Sequence, residues 1–294
     1  MDLASLEFRL TADERGRFEA EGYLVVPGAI PAERLARLDA IGEELLERRR
    51  AAGLGPHEAC SQPDVIGHDE AILEMIDCAA TFPKVWGILG WNIYLYHSHL
   101  DVTPTTDPKR LESERIFAWH QDSMRVNDEI ESSPRPRLSL KIGYLLSDLT
   151  EPDRGNTLVI PGSHLRDDVD VPLDGRSSPP GAVQVCAPAG SALIIDRRIW
   201  HSRSANVSAI TRKVLWLGYA YRWLRPKDAM TVEHLYPKLD PIRRQLLGDR
   251  VSNDGYYAPT DADVPLRGWL AEHAPEDVAW AHAAKRQSFR PDIV

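Results

Sequence analysis

The chain has 294 residues, with 35 Lys and Arg against 44 Asp and Glu, a formal charge of −9 and 43% hydrophobic residues. Such a chain buries roughly three quarters of its extended surface, enough for one large single-core domain or two small ones, and it needs no disulfides to fold. The acidic balance argues against nucleic acid as a partner, and no run approaches the ~20 apolar residues of a membrane span.

The N-terminus carries Asp2 and Glu7 where a secretory signal needs bases and an apolar run, so a cytoplasmic protein is expected. Thr11-Ala-Asp-Glu14 fits a capping box that starts a helix, and Gly22 ends it. Tyr23-Leu-Val-Val26, closed by Pro27-Gly28, reads as a strand. Pro31 opens a second helix to about Arg50, with Leu35, Leu38, Ile41 and Leu45 on one face. Its last residues, Arg48-Arg49-Arg50, follow Glu43, Glu44 and Glu47 at helical spacing and form a solvated face. A Gly/Pro-rich loop covers 53–63, and another helix is expected over 69–85.

From 92 to 223 the pattern changes to short segments rich in Val, Ile, Leu, Tyr and Thr, separated by Pro, Gly, Asp and Asn. Strands are predicted over 92–101, 116–122, 138–146, 157–161, 182–187, 191–196, 199–204 and 212–223. Leu138, Leu140, Ile142 and Tyr144 alternate with Ser139, Lys141 and Gly143, the period of a sheet with two unlike faces. Eight strands without intervening helices point to a mainly β fold with flanking helices, a double-sheet jelly roll or barrel. Residues 1–294 read as a single domain: N-terminal helices over 1–91, a β core over 92–223 and an extension over 224–294. Short helices are expected in that extension over 241–247 and 265–273. Cys60, Cys78 and Cys186 are odd in number and scattered, which fits a reducing compartment rather than a disulfide frame.

The chemistry concentrates in two segments. In Phe117-Ala-Trp-His-Gln-Asp122, His120 and Asp122 are two apart, so on an extended strand both project from one face toward one metal ion. Downstream, His201 is followed by an Asn/Ser turn and a strand headed by Arg212. A hairpin turning on Asn206-Val207 would make His201 and Arg212 cross-strand neighbours, ~5 Å apart at Cβ. Two imidazoles and one carboxylate on one face of a metal leave its other positions open, as in non-haem Fe(II) oxygenases. An arginine nearby supplies a planar fork for the far end of a metal-chelating dicarboxylate such as 2-oxoglutarate.

Trp119-His-Gln-Asp122, Gly155 followed by Leu158-Val-Ile-Pro-Gly-Ser-His164, and His201 with Asn206, Ser208 and Arg212 behind it together resemble the phytanoyl-CoA dioxygenase family of Fe(II)/2-oxoglutarate oxygenases, over about residues 23–223. The resemblance implies a cupin-like double-stranded β-helix with His120, Asp122 and His201 as iron ligands. It also implies Arg212 as the partner of the distal 2-oxoglutarate carboxylate, O2 as the second cosubstrate, and Phe117 as a residue lining the cosubstrate pocket. Two positions depart from the family. A basic residue is often found near the end of the strand that here reads His99-Leu-Asp-Val-Thr103, and a tryptophan where Gly143 stands; His99 or Lys141 is the candidate to take over one of those contacts.

The remaining residues divide between site and scaffold. Trp119 and Met124 flank the H-x-D ligands as candidate substrate walls, and Arg125 and Arg222 are candidates for an acidic substrate group. His97, paired with His99 on one strand, reads as pocket lining, His164 as a turn residue and Cys186 as a small buried hydrophobe. Trp200, Trp216 and Trp223 read as core. The long loops 125–137 and 165–181 are expected to close over the barrel mouth and set substrate choice. The reading that follows is a hydroxylase, or other C–H oxidase, of a small organic molecule such as a secondary metabolite. Asp122 favours hydroxylation over halogenation, which would leave that position to a halide. An acyl-CoA hydroxylase, a non-catalytic metal-binding barrel and a zinc hydrolase are the alternatives.

Overall fold

The computed structural model of the chain describes residues 1–113, 117–122, 124–167, 169–172 and 174–278. Helix α1 (Ala12–Glu21) begins on the expected capping box and ends at Gly22, whose φ of 84° is left-handed. β1 (Tyr23–Val26) and α2 (Ala32–Ala51) follow. β2 (Cys60–Pro63) lies where the sequence suggests a loop; its Cys-Ser-Gln-Pro has no apolar alternation, and it forms only as an edge strand. The single helix expected over 69–85 is two, α3 (Glu70–Leu73) and α4 (Phe82–Leu89), because Pro83 fits only the first turn of a helix.

Next come β3 (Ile93–Thr103) and the short helices α5 (Pro108–Ser113) and α6 (Met124–Glu129), both too brief to show a period. The core continues with β4 (Ser139–Leu145), β5 (Thr157–Val159), β6 (Val183–Gln184), β7 (Ala192–Asp196), β8 (His201–Arg203) and β9 (Arg212–Tyr221). Helices α7 (Pro241–Leu246) and α8 (Pro265–His273) complete the extension. The strands form two antiparallel sheets, β1-β7-β4-β9-β3-β2 and β6-β5-β8. This is the jelly roll expected from the strand pattern.

Two expectations fail locally. Of the strand expected over 116–122, Ile116 lies outside the described residues, and 117–122 makes a single bridge, His120 to His201. The predicted hairpin does not form either: β8 belongs to the small sheet and β9 to the large one, where Arg212 faces Thr103. Asn206 accounts for the difference. Its fully buried amide donates to the carbonyls of Thr103 and Ile210 at 3.0 and 2.7 Å, steering the connection from one sheet to the other.

The large sheet is buried on both faces. On β9, Leu215 and Leu217 join the main core with Leu38, Phe82 and Trp86 of the helical layer, while Val214 and Trp216 join an inner cluster with Val159 of the small sheet. Arg212 has the parity of Val214 and Trp216, so it points into the barrel. Across β3, His99 pairs with Trp216 and Asp101 with Val214, which puts them on the same inner face. No described helix is long and apolar enough to cross a membrane.

Candidate metal centre

His120, Asp122 and His201 bring one ligand-type atom each within 4.8 Å of one another, the one such group found among the described residues. Backbone pairing causes the convergence. His120 N donates to His201 O at 3.0 Å, His201 N returns the bond at 2.9 Å, and Asp122 N donates to Arg197 O at 3.0 Å. Each imidazole is oriented through Nδ1, which lies 2.8 Å from Ala118 O on His120 and 3.0 Å from Ile199 O on His201. A carbonyl can only accept, so Nδ1 carries the proton and Nε2 keeps the lone pair that a metal needs.

Burial, reinforced by the charge of His120, lowers the pKa of His201 to about 3, which keeps this ring neutral. Burial alone would raise the Asp122 carboxyl, but the charges of Lys141 and Lys227 outweigh it and hold the group well below the usual range. The ammonium of Lys141 lies 3.4 Å from Asp122 Oδ2 and that of Lys227 3.2 Å from Oδ1. Two imidazole nitrogens and one carboxylate form a donor set suited to Fe(II) or Zn(II), with positions left for other ligands.

An inner cavity of about 260 Å³ runs from His120 and His201 to Arg212, past His99, Lys141 and Trp216. Arg212 is 2% exposed, and its Nε and Nη1 find no partner among the described residues. Burial lowers its pKa to about 10, with Arg203 adding to the effect and Asp101 opposing it. Its stem crosses Gly155, where a Cβ would stand 2.8 Å from Arg212 Cδ. A buried guanidinium with open donors is a receptor for an anion. Gly143 has a similar cause: a Cβ there would meet the Trp216 ring at 2.6 Å, so the indole reaches the cavity from β9 instead of β4. Lys141 lies 4.8 Å from the centroid of that ring, and His99 stacks on it at 6.2 Å.

The other predicted residues go to three further cavities. Phe117 and Trp119 line a 370 Å³ space between the two long loops, not the inner cavity, which corrects the expectation for Phe117. Those loops are tied together there by Arg135 and Asp167 at 2.8 Å. Arg125, with a side chain 83% exposed, stands at a 540 Å³ mouth cavity against His120 and Asp122. The side chain of Met124 lies outside the described residues. Arg222 is not at the triad: it is buried beneath the C-terminal extension, donates to the carbonyls of Gln245 and Asp249, and lines a separate 410 Å³ cavity. Cys186 is exposed and Trp223 is 42% exposed, against the buried roles expected for them. His164 is a buried turn residue whose Nε2 lies 3.2 Å from Glu19 O, and His97 stands 4.7 Å from His99, ring to ring.

Sequence reasoning missed Lys227, which reaches Asp122 from an extension with no local signal. It also missed Asp101 and the inward role of Trp216, both of which the parity of His99 and Arg212 would have revealed.

Comparison with known proteins agrees with this geometry. An ectoine dioxygenase of Stutzerimonas stutzeri (strain A1501) is 25% identical over 236 residues, 69% of this chain and 74% of its own. Among solved structures, EctD from S. alaskensis with bound Fe superposes with a TM-score of 0.55 at 22% identity, covering 74% of this chain and 79% of that one. HygX from Streptomyces hygroscopicus with nickel and 2-oxoglutarate bound gives a TM-score of 0.56 at 16% identity, covering 75% and 93%. At these identities the structural likeness is one of fold. The profile of the phytanoyl-CoA dioxygenase (PhyH) family matches residues 18–214, two histidines, the carboxylate and Arg212 included, and the chain belongs to that family.

Proposed function

We propose that the protein is an Fe(II)/2-oxoglutarate-dependent oxygenase that hydroxylates or otherwise oxidises a C–H bond of a small organic molecule. The observation that carries this reading is the pairing, in one cavity, of the His120–Asp122–His201 cluster with a buried Arg212 whose donors are open. His120 and His201 would hold the metal through Nε2 and Asp122 through its carboxylate. Arg212 would receive the distal carboxylate of 2-oxoglutarate. Iron, 2-oxoglutarate and O2, when bound, would supply the oxidising power for the C–H bond, with succinate and carbon dioxide as coproducts.

The chain's own residues do the positioning. The carbonyls of Ala118 and Ile199 fix both imidazole tautomers. Lys141 and Lys227 neutralise Asp122, and Lys141 and His99, layered on Trp216, form the polar wall beside the cosubstrate. The small sheet and the apolar cluster around Val159 and Trp216 keep bulk water from the inner end. Trp119 and Arg125 are the substrate-side residues in this reading. The helical segment shares one apolar core with the large sheet, which supports a single working domain, and three free cysteines favour the cytoplasm.

The test is succinate formation from 2-oxoglutarate by protein loaded anaerobically with Fe(II) and then given O2. Asp122→Ala should abolish it, and an unchanged yield would remove the triad from catalysis. Metal-dependent hydrolysis without 2-oxoglutarate consumption would instead favour the zinc alternative.

A further inference from the structure

Resting on that reading, we infer that the substrate is a small organic acid, held at the mouth cavity by its anionic group through Arg225, Arg125 and Lys227. The mouth cavity is about 540 Å³, the size of a metabolite pocket, and it touches His120 and Asp122, where the oxidised carbon must lie. Its described lining has three cations, and Asp122 is its one acid. That acid is spoken for, because a metal ligand donates its charge to the ion. The protein as a whole carries −9, so a cationic cavity wall is a local reversal of its surface charge.

Neither arginine is consumed by the fold, and the acid that Lys227 meets is the metal ligand Asp122. Arg225 is exposed and makes no hydrogen bond or ion pair among the described residues. Among the described residues the Arg125 guanidinium is paired with Glu129 alone, at 3.9 Å, with both side chains more than two thirds exposed. Among the described residues the Lys227 ammonium is paired with Asp122 alone. The rest of the lining includes Tyr96, Val126 and Leu224, which suits an apolar body behind the anionic head. Two guanidiniums on the lining of one cavity favour a planar or tetrahedral oxyanion, a carboxylate or a phosphate ester. Arg222, the other arginine considered for this role, is shut away beneath the extension.

The experiment uses the full chain loaded anaerobically with Fe(II) and 2-oxoglutarate, so that nothing turns over. A bacterial metabolite extract, split by ion exchange into anionic and non-anionic fractions, is equilibrated with it. Compounds retained on ultrafiltration are identified by mass spectrometry, which also separates carboxylates from phosphates. The expected result is retention from the anionic fraction, reduced at least tenfold in Arg225→Glu and in Arg125→Glu and restored in Arg225→Lys. Retention of nothing from the anionic fraction beyond 2-oxoglutarate, retention confined to the other fraction, or retention unchanged in both glutamate variants overturns the proposal. Retention of 2-oxoglutarate itself is the internal control: if it persists while the acid fails, only the substrate inference falls, and if it too is missing, the oxygenase reading falls with it.

Discussion

Replacing Arg212 by Met should stabilise the ligand-free protein while removing its response to 2-oxoglutarate. Arg212 is 2% exposed, with Nε and Nη1 unpartnered among the described residues, so the fold holds a charge it does not compensate. The fall in pKa from the ordinary arginine value to about 10, caused first by burial, corresponds to about 3 kcal/mol of destabilisation. The sign follows from linkage. A cation whose folded pKa is depressed weakens the fold fully below pH 10, and the penalty fades only as pH rises through 10 toward the ordinary arginine value. Met keeps most of the aliphatic stem that packs on Gly155 and carries no charge. A gain on the order of 1–3 kcal/mol is therefore expected at neutral pH, several degrees in Tm for a chain of this length. In the wild type, 2-oxoglutarate at one hundred times its Kd adds about 3 kcal/mol by binding only the folded state, and the variant should lose that increment. Thermal unfolding of Mn(II)-loaded protein, with and without 2-oxoglutarate, measures both quantities. A Met variant that melts at or below the wild type without ligand, or that keeps the wild-type shift with it, would refute the assignment of Arg212 as an open anion receptor.

Three other perturbations have definite directions. Asp122→Ala should abolish Fe(II) retention in anaerobic dialysis while leaving the far-UV spectrum unchanged, since among the described residues its side chain is paired with Lys141 and Lys227 alone. Asp196→Asn should cost at least 2 kcal/mol at pH 7, because this fully buried carboxylate accepts from Arg198 Nε, Arg198 Nη2 and Arg137 Nε. Burial would raise its pKa, but the Arg198 and Arg137 bonds hold it at about 2, so its contribution is present above pH 4, and the wild-type advantage in urea melts should shrink as pH falls from 4 to 2. Arg135→Ala should open the two long loops, whose link at 2.8 Å is its bond to Asp167, and should raise their cleavage rate by a protease severalfold while changing global stability by less than about 1 kcal/mol.

The parts of the fold legible in the sequence are those fixed by local chemistry. Thr11 and Glu14 cap α1 as read, and the alternation of Leu140, Ile142 and Tyr144 against Lys141 and Gly143 marks the two faces of β4. What was not legible depends on partners far along the chain. Cys60–Pro63 is a strand only because β3 offers an open edge, and Phe117 to Asp122 reaches the metal centre through one bridge to His201. Lys227 belongs to no pattern, since a lysine in a loop acquires meaning only from the acid it meets. The triad itself was legible because H-x-D spacing is local. The proximity of His201 to Arg212 was anticipated by the wrong route: they meet across the barrel and not across a hairpin, because Asn206 sends the chain from one sheet to the other.

Stability and chemistry occupy opposite faces of the same strands. On β9, Leu215 and Leu217 face the helices, where the main core is continuous and apolar, while Arg212, Val214 and Trp216 face a barrel that is apolar only at its inner end. The same parity places Ile142 and Tyr144 outward and Lys141 and Gly143 inward on β4. An uncompensated guanidinium, a lysine drawn to a buried carboxylate and a histidine with an unpartnered Nδ1 are all costly features, and Arg212, Lys141 and His99 line one inner cavity. The outer face is large enough to offset them. A one-residue slip of β9 would exchange its two faces and lose both properties at once, so the register that folds the sheet is also the register that builds the site.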